Sequence, residues 1–256
     1  MKHWIKRCVL AFGTVCLMSM ALCGCSGNKQ EDAVTQPELV IGSDDYEPYN
    51  YQDENGNYAG IDVELAREAC SRIGYSPVFK QIQWDDKDAY LESGEIDCAW
   101  GSFSMNDREN DYIWVGPYMY SREVVMVRND SDVYTLADLE DRNIAVQSST
   151  QPERIFLQQS NEKIPEVKNV YCFVEINELF AALRKGYVDA CAGHEIVMRE
   201  YLKQSGQKYR ILDEELIASM LGVAFSKDKD SEKAELLRGA MREMYKDGTT
   251  QRILEK

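Results

Sequence analysis

The sequence predicts an α/β fold of two similar lobes, each a mainly parallel sheet with flanking helices. The first observation is that strand-like and helix-like segments alternate, which favours a parallel sheet. The second is an internal repeat, because Leu91–Gly101 matches Leu183–Gly193 at a constant offset of 92 residues. A chain of 256 residues is long enough for two lobes.

The first lobe begins with a strand, a hairpin, an amphipathic helix and a second strand. These are predicted at Leu39–Gly42, at the pair Tyr49–Gln52 and Tyr58–Ala59, at Ile61–Ile73 and at Val78–Ile82. The helix has its apolar residues on one stripe, with Glu64, Arg67 and Glu68 on the opposite face. Gly74 follows it and is a typical helix C-terminus.

The repeat itself predicts a helix that ends at a glycine, followed by a buried strand. The glycines are Gly94 and Gly186, and the strands begin at Ile96-Asp97 and Val188-Asp189. A strand and a helix also precede the second copy, at Ile144–Val146 and Glu153–Gln159, just as they precede the first.

Two extended segments connect the lobes. Tyr118–Val127 leads from the first lobe to the second, Leu221–Phe225 leads back, and a helix over Ser231–Lys246 follows. Two crossing strands form a hinge at which lobes can close. We expect residues 38–121 and 219–256 in the first lobe and residues 122–218 in the second.

In open α/β sheets, ligands bind beyond the carboxyl ends of the strands. This rule, applied to both lobes, predicts four ligand-binding loops. They are Ser43–Tyr49, Ser102–Arg108, Ser148–Pro152 and His194–Glu195. If the lobes face each other, these loops line one cleft.

The N-terminus has the parts of a secretory signal peptide: a basic start, a short apolar stretch and a cleavage pattern. The pattern Leu22-Cys23-Gly24-Cys25 resembles the lipobox of bacterial lipoproteins. The resemblance implies removal of residues 1–24, attachment of lipid such as palmitate to Cys25, and a polar tether over residues 25–37. The alternative is an uncleaved anchor, since the uncharged stretch of roughly 19 residues is at the lower limit of a membrane span.

Composition excludes several classes of function. Loss of the three positive charges in residues 1–24 takes the formal charge from −15 to −18, and so acidic a chain repels nucleic acid. Only two histidines occur, so a zinc site or a Ser-His-Asp hydrolase is not expected, and neither a metal nor a cofactor is predicted. The four cysteines after Cys25 are widely spaced in apolar runs, and we expect small buried side chains rather than disulfides. They are Cys70, Cys98, Cys172 and Cys191.

Several segments, in order and spacing, resemble the family 3 bacterial extracellular solute-binding proteins of amino-acid ABC importers. They are Gly60–Ala66, Leu91–Asp97, Arg108 with Gly116-Pro117-Tyr118, Asp138-Leu139 through Ile144–Gln147, Leu183–Asp189 and Asp247-Gly248-Thr249. The resemblance covers Leu39–Leu254 and implies the two-lobed periplasmic-binding-protein fold of type II. It also implies a monomeric, non-enzymatic receptor that is lipid-anchored outside the cytoplasm and serves an ABC permease.

Arg108 is the first candidate for ligand binding, because a guanidinium holds a carboxylate with two parallel hydrogen bonds. It precedes Pro117 by nine residues, and in the family an arginine at this spacing clamps the α-carboxylate. The alternative is an exposed arginine paired with Asp107, Glu109 or Asp111. Thr150, with Ser148 and Ser149, precedes a helix start whose free N–H groups favour an anion.

The resemblance places Tyr46 and Tyr49 against the ligand, in the same loop as Asp44. Trp100 is a further candidate for the cavity wall, and we expect Trp84 to serve packing. The sequence departs from the family at Met105, where a hydroxyl is usual; Ser102 and Ser104 are the remaining candidates.

A second departure concerns the α-ammonium acceptor, which in the family is commonly an aspartate at the position of His194. We expect the neighbouring Glu195 to take this role, because a carboxylate only accepts hydrogen bonds. A ligand without an α-ammonium is the alternative. Two other functions stay open: an enzyme of the cyclohexadienyl dehydratase type that uses His194 or Glu195 as acid or base, and a ligand-sensing ectodomain.

Overall fold

The computed structural model describes residues 36–206, 208–227, 229 and 231–255. The predicted signal peptide, Cys25 and all but the last two residues of the predicted tether lie outside the described residues. Among the helices that the structure describes, none has the length and apolar character that a membrane span requires.

The first part of the chain forms the predicted alternation of strands and helices. Its elements are β1 (Glu38–Ser43), β2 (Tyr51–Gln52), β3 (Tyr58–Ala59), α1 (Ile61–Ile73), β4 (Ser76–Gln81), α2 (Lys87–Ser93) and β5 (Cys98–Ala99). The predicted bounds of α1 are confirmed at both ends, and Gly74 follows it in the left-handed conformation. The predicted hairpin is the antiparallel pair of β2 and β3.

The remaining elements complete the second part and return to the first. They are β6 (Ile113–Arg128), β7 (Asn143–Gln147), α3 (Gln151–Gln158), β8 (Asn169–Phe173), α4 (Ile176–Lys185), β9 (Ala190–His194), α5 (Glu195–Ser205), β10 (Tyr209–Phe225), α6 (Ser231–Lys246) and α7 (Thr249–Leu254). The bounds predicted for α6 are confirmed. The sequence-based expectation did not contain β8, α5 or α7.

Eight strands form one sheet in the order β4-β1-β5-β10-β6-β9-β7-β8. In the first lobe β1 lies between β4 and β5 and is parallel to both. In the second lobe β7 lies between β8 and β9 and is likewise parallel to both. The long strands β6 and β10 pair antiparallel with each other and connect the two halves. The predicted fold of two mainly parallel half-sheets joined by crossing strands is therefore confirmed.

The repeat has one structural role in both lobes. Gly94 and Gly186 end α2 and α4 with φ of 81° and 72°, a left-handed conformation that glycine adopts without a steric penalty. Three residues later, the Oδ2 of Asp97 accepts a hydrogen bond from the N–H of Val40 at 2.7 Å. The Oδ2 of Asp189 accepts the equivalent bond from Asn143 at 2.8 Å. Each aspartate thereby fixes the neighbouring parallel strand.

The crossing strands approach each other closely at Gly116. This residue has a φ of 147°, and a Cβ placed on it would lie 3.0 Å from the Cα of Gly222 on the opposite strand. The pairing of β6 with β10 shifts register between Leu221 and Val223 at the same place. A side chain at Gly116 would therefore force the two strands apart.

Three of the four cysteines are buried and free, as expected: Cys70, Cys98 and Cys191. The expectation was wrong for Cys172, which is exposed. Cys172 lies on β8, the edge strand of the sheet, whose side chains are all exposed or half-buried.

Candidate functional site

A cavity with about 420 Å³ of open space lies where the strands of both lobes end. All four loops that were predicted from the topology contribute to its lining. The predicted residues that line it are Asp44, Tyr46, Ser102, Ser104, Arg108, Thr150 and His194.

Other residues of the predicted loops also line the cavity: Phe103, Ser149, Gln151 and Pro152. The lining outside those loops was not expected and includes Trp84, Gly101, Glu123, Gln147, Ala192 and Gly193. Trp84 is 5 % exposed and packs edge-to-face on Phe103 with 5.0 Å between the ring centroids. The assignment of Trp84 to packing alone was therefore incomplete, because its ring serves both the core and the cavity.

Arg108 lies in the cavity and contacts both lobes. Its Nη1 donates to the carbonyl of Ser104 at 3.3 Å, and its Nη2 donates to the carbonyl of Ser149 at 3.1 Å. The guanidinium lies over the ring of Phe103 at 5.3 Å from the centroid. Burial lowers the pKa of Arg108 from its usual value. No salt bridge joins it to Asp107, Glu109 or Asp111 in the described part of the chain, so the expected alternative of an exposed ion pair does not occur.

The start of α3 forms the wall beside Arg108. Thr150 is the N-cap residue, and its hydroxyl donates to the carbonyl of Gln147 at 2.6 Å. Glu153 accepts a hydrogen bond from the N–H of Ser149 at 2.8 Å. Pro152 lies in the first turn, where its missing N–H costs no hydrogen bond. The remaining first-turn amides, together with the helix dipole, make this wall favourable for an anion.

Asp44 and Gln147 connect the lobes on another side of the cavity. The Nε2 of Gln147 donates to the Oδ2 of Asp44 at 2.7 Å. Burial raises the pKa of Asp44 to about 6, the hydrogen bond from Gln147 opposes the shift, and the charge of Glu175 adds to it. Asp44 therefore brings a negative charge to the cavity only above about this pH.

The two tyrosines of the first loop differ in position. Tyr46 lines the cavity and meets the ring of His194 edge-on, with 6.0 Å between centroids. Tyr49 is fully buried behind it, and its hydroxyl lies 3.2 Å from the hydroxyl of Ser121. Tyr49 is therefore not part of the lining, and its aromatic ring supports Tyr46 instead.

Trp100 is also outside the lining, contrary to the expectation. Its side chain is fully buried in the first lobe and packs against Tyr118 at 6.0 Å between ring centroids. Trp100 directly follows β5, and its backbone N–H donates to the carbonyl of Gly42 on β1 at 3.0 Å, which holds the residue against the sheet. Trp84 takes the place at the cavity that was expected for Trp100.

His194 bridges the lobes from the end of β9. Its Nε2 lies 3.1 Å from the carbonyl oxygen of Ser102. Because a carbonyl only accepts, Nε2 carries the proton. Its Nδ1 lies 3.0 Å from the hydroxyl of Ser121 and accepts from it in this tautomer.

Glu195 lies outside the cavity and contacts two arginines. Its Oε2 is 2.9 Å from Nη1 of Arg122, and Oε1 pairs with Arg199 one helical turn later. It is the first residue of α5, so its side chain leaves the sheet end that His194 faces. The expectation that Glu195 reaches the ligand is not met by this geometry.

A second acidic residue at the cavity, besides Asp44, is Glu123 on the crossing strand β6. It is 1 % exposed, and its Oε1 accepts from the hydroxyl of Ser219 at 3.0 Å and lies 3.3 Å from Nδ1 of His194. A signal for it does exist in the sequence. Glu123 is a single acidic residue directly before the apolar run Val124–Val127, which is an unusual place for a charge in a buried strand.

Among the described residues, the hydrogen bonds that join the lobes around the cavity include Arg108 to Ser149, Gln147 to Asp44, His194 to Ser102 and Gln151 to Asn106. Nearby, Arg154 of α3 donates to the carbonyl of Asp107 at 3.0 Å, outside the lining. The lobes thus face each other with the cavity enclosed between them. Among the described residues, no group of three or more histidine, cysteine, aspartate or glutamate side chains is arranged to hold a metal ion.

This fold and site define a class of protein: a two-lobed binding protein of the periplasmic type II fold, with its ligand cavity between the lobes. Within that class the chain belongs to the bacterial extracellular solute-binding proteins, family 3, whose family model matches residues 39–256.

Similar proteins are known in sequence and in structure. The L-cystine-binding protein TcyA of Bacillus subtilis is 28 % identical over 268 residues, which cover 98 % of this chain and 97 % of TcyA. The arginine-binding extracellular protein ArtP of the same organism is 25 % identical over 263 residues, with 100 % and 98 % covered. The solved structure of an ancestral arginine-binding protein bound to arginine superposes with a TM-score of 0.78 at 27 % identity, covering 86 % of this chain and 98 % of that one. All three of these relatives are binding proteins.

Proposed function

We propose that this protein is a receptor that binds a free amino acid between its lobes outside the cytoplasm and delivers it to an ABC importer. The observation that carries the proposal is the position of Arg108, whose guanidinium lies in the cavity and contacts both lobes. An amino acid has the anionic group that such a residue binds best.

Arg108 and the start of α3 are proposed to bind the ligand carboxylate. A guanidinium has five N–H donors, and the structure assigns one hydrogen bond each to Nη1 and Nη2. Burial disfavours the isolated cation, as the lowered pKa of Arg108 indicates, and a bound carboxylate would compensate for this cost. The amides at the start of α3 add donors from the second lobe.

Binding of this kind would be coupled to closure of the lobes. A carboxylate held by Arg108 of the first lobe and by α3 of the second stabilises the closed arrangement over the open one, which is a population shift. The crossing strands β6 and β10 supply the hinge. The closed form is the one an importer would recognise.

His194 supports binding rather than catalysis. Its Nε2 donates to a backbone carbonyl and its Nδ1 accepts from Ser121, so neither nitrogen is left for proton transfer to a substrate. Glu195, the other candidate acid or base, is paired with Arg122 and Arg199. The names of the relatives point to amino acids such as cystine and arginine as the compounds to test first.

The proposed location rests on the N-terminal sequence. Lipid on Cys25 and the polar tether after it would hold the receptor near its permease and raise its local concentration there. Expression in a bacterium tests this: the wild type is expected in the membrane fraction and Cys25→Ser in the soluble fraction. Equal distribution of the two proteins would contradict the lipid anchor.

Calorimetry tests the proposed binding. The protein without residues 1–24, unfolded and refolded to remove any bound compound, is titrated with the twenty standard L-amino acids and L-cystine. We expect at least one to bind with a Kd in the micromolar range or below, which corresponds to about −8 kcal/mol or more favourable. Failure of all twenty-one would contradict the proposal.

A further inference from the structure

Glu123 has a buried oxygen that no described group of the protein hydrogen-bonds. Its side chain is 1 % exposed and lines the cavity, and Oε2 has no hydrogen-bond partner. Leaving an ionised carboxylate buried with an unsatisfied oxygen is costly, so such a group in a folded protein calls for a partner.

Arg108 lines the same cavity and interacts electrostatically with Glu123, but it does not form a salt bridge with it. Within the described part of the chain, no lysine or arginine lies within 4 Å of Glu123. The adjacent Arg122 pairs with Glu195 and Glu215 instead. Nδ1 of His194 lies 3.3 Å from Oε1, and this contact leaves Oε2 without a hydrogen-bond partner.

A second unpartnered acceptor lies in the same cavity. The Nε2 of Gln151 donates to the carbonyl of Asn106, which orients the amide, and its Oε1 is buried without a hydrogen-bond partner. Gln151 is 2 % exposed. Both unsatisfied side-chain atoms at the cavity are therefore acceptors, and one of them belongs to a carboxylate. A primary ammonium suits them, because it has three donors and a positive charge.

We propose that Glu123 is the acceptor for the α-ammonium of the bound amino acid. This inference rests on the proposed function and replaces Glu195, which the sequence suggested. Glu123 lies opposite His194 on β9 and Ile217 on β10, where the pairing of the crossing strands is irregular. The amine is thus recognised from the hinge strand, in contrast to the carboxylate, which is held by the loops. Compounds that lack a protonated amine lose this contact.

The experiment compares each amino acid with its deamino counterpart. Three pairs are available: L-arginine and 5-guanidinopentanoate, L-histidine and 3-(imidazol-4-yl)propionate, and L-cystine and 3,3′-dithiodipropionate. The pair whose amino acid binds the wild type most tightly is used. Calorimetry is performed on the wild type, Glu123→Gln and the matched control Glu195→Gln. We expect Glu123→Gln to weaken the amino acid about 100-fold and its deamino counterpart less than 3-fold, and Glu195→Gln to change neither.

Folding is checked by the melting temperature of each protein without ligand. Glu123→Gln removes a buried carboxylate that has an unsatisfied oxygen, so its melting temperature is expected to equal or exceed that of the wild type. Glu123→Asp serves as a second variant, because it keeps a carboxylate but moves its oxygens away from the cavity. We expect it to lower the affinity for the amino acid about 10-fold and to leave the affinity for the deamino counterpart unchanged.

The outcomes separate this inference from the proposed function. If the wild type binds an amino acid and Glu123→Gln binds it equally well, Glu123 is not the acceptor and the proposed function stands. If Glu123→Gln weakens both members of the pair to the same degree, its role is general to the cavity and the inference is overturned. If no amino acid of the full calorimetric panel binds the wild type, the proposed function itself fails.

Discussion

The guanidinium of Arg108 in the first lobe donates a hydrogen bond over 3.1 Å to the carbonyl of Ser149 in the second lobe. Ser149 directly precedes the N-cap of α3, so this bond ties the carboxylate-binding wall to the arginine. A ligand between them would contact both lobes at once. The bond makes Arg108 the residue through which ligand binding and lobe closure are coupled.

Substitution of Arg108 is expected to abolish tight binding. Arg108→Met removes hydrogen bonds to a charged ligand group that are worth about 1.5–3 kcal/mol each, so the affinity should fall at least 100-fold. Arg108→Lys keeps the charge but loses the planar fork, and about a 10-fold loss is expected. Calorimetry with the tightest-binding amino acid measures both values.

Arg154→Met is the matched control for this prediction. Arg154 also donates to a backbone carbonyl of the other lobe, that of Asp107 at 3.0 Å, but it does not line the cavity. We expect less than a 3-fold change. An equal loss from both variants would mean that Arg108 contributes through lobe contact alone and does not clamp the carboxylate.

Both repeated aspartates, Asp97 and Asp189, are expected to stabilise the fold through the same hydrogen bond to a neighbouring strand. Asp97→Ala and Asp189→Ala each leave a strand N–H without its carboxylate partner, at a cost of about 2 kcal/mol. The loss should be the larger at Asp97, because its Oδ1 also pairs with Lys233 at 2.6 Å. Urea denaturation monitored by circular dichroism gives the free energies of unfolding. A negligible effect of either substitution would show that the hydrogen bond to the strand is not what the repeat provides.

Gly116→Ala is expected to destabilise the crossing strands. A Cβ there would lie 3.0 Å from the Cα of Gly222, and the φ of 147° is unfavourable for alanine, so a cost of about 2 kcal/mol is expected. Gly239→Ala is the control, because Gly239 lies inside α6 with nothing within 4 Å of its Cβ position. This change should stabilise by about 0.5–1 kcal/mol. Thermal unfolding compares the two, and a stabilising effect at Gly116 would contradict the close approach.

The fold could be predicted because its signals are local and repeated. The apolar stripe of α1 has its stop at Gly74, and the glycine and aspartate of the repeat recur at one spacing. Such signals do not depend on distant parts of the chain. The strand β8 was missed because an edge strand carries few buried residues, and α7 because six residues give too short a periodicity.

The site was predicted at the level of loops but less well at the level of side chains. Strand topology decides which loops meet, and the four expected loops do meet at the cavity. Which side chain faces the cavity depends on strand register and on packing across the lobes. For this reason the cavity position was assigned to Trp100, although Trp84 occupies it. Glu195 was preferred to Glu123 because Glu195 follows His194 in sequence. Glu123 lies next to His194 only through the pairing of β6 with β9.

A buried carboxyl in the first lobe makes stability depend on pH. Asp62 is 1 % exposed, and its Oδ2 accepts from the N–H of Ser102 at 2.7 Å. Tyr118 and Trp100 lie beside it, although their polar atoms do not reach hydrogen-bond geometry with its second oxygen. Burial raises the pKa of Asp62 to about 7, while its polar neighbours oppose the shift.

The folded protein is therefore expected to become less stable as the pH rises from about 4 to about 7. Because the raised pKa makes the folded state hold this proton more tightly than the unfolded state, each pH unit in this window costs at most roughly 1.4 kcal/mol, or about 3–5 °C in melting temperature. Asp44 titrates in the same window with a pKa of about 6.

The contribution of Asp62 is isolated by subtracting the melting temperature of the variant Asp62→Asn from that of the wild type at each pH. This variant keeps an acceptor for the N–H of Ser102 but cannot ionise. Measured from pH 4.5 to 8.5, the wild type should lose melting temperature relative to Asp62→Asn up to about pH 7 and remain parallel to it above. A constant difference over the whole range would show that Asp62 titrates at the same pH in the folded and unfolded states.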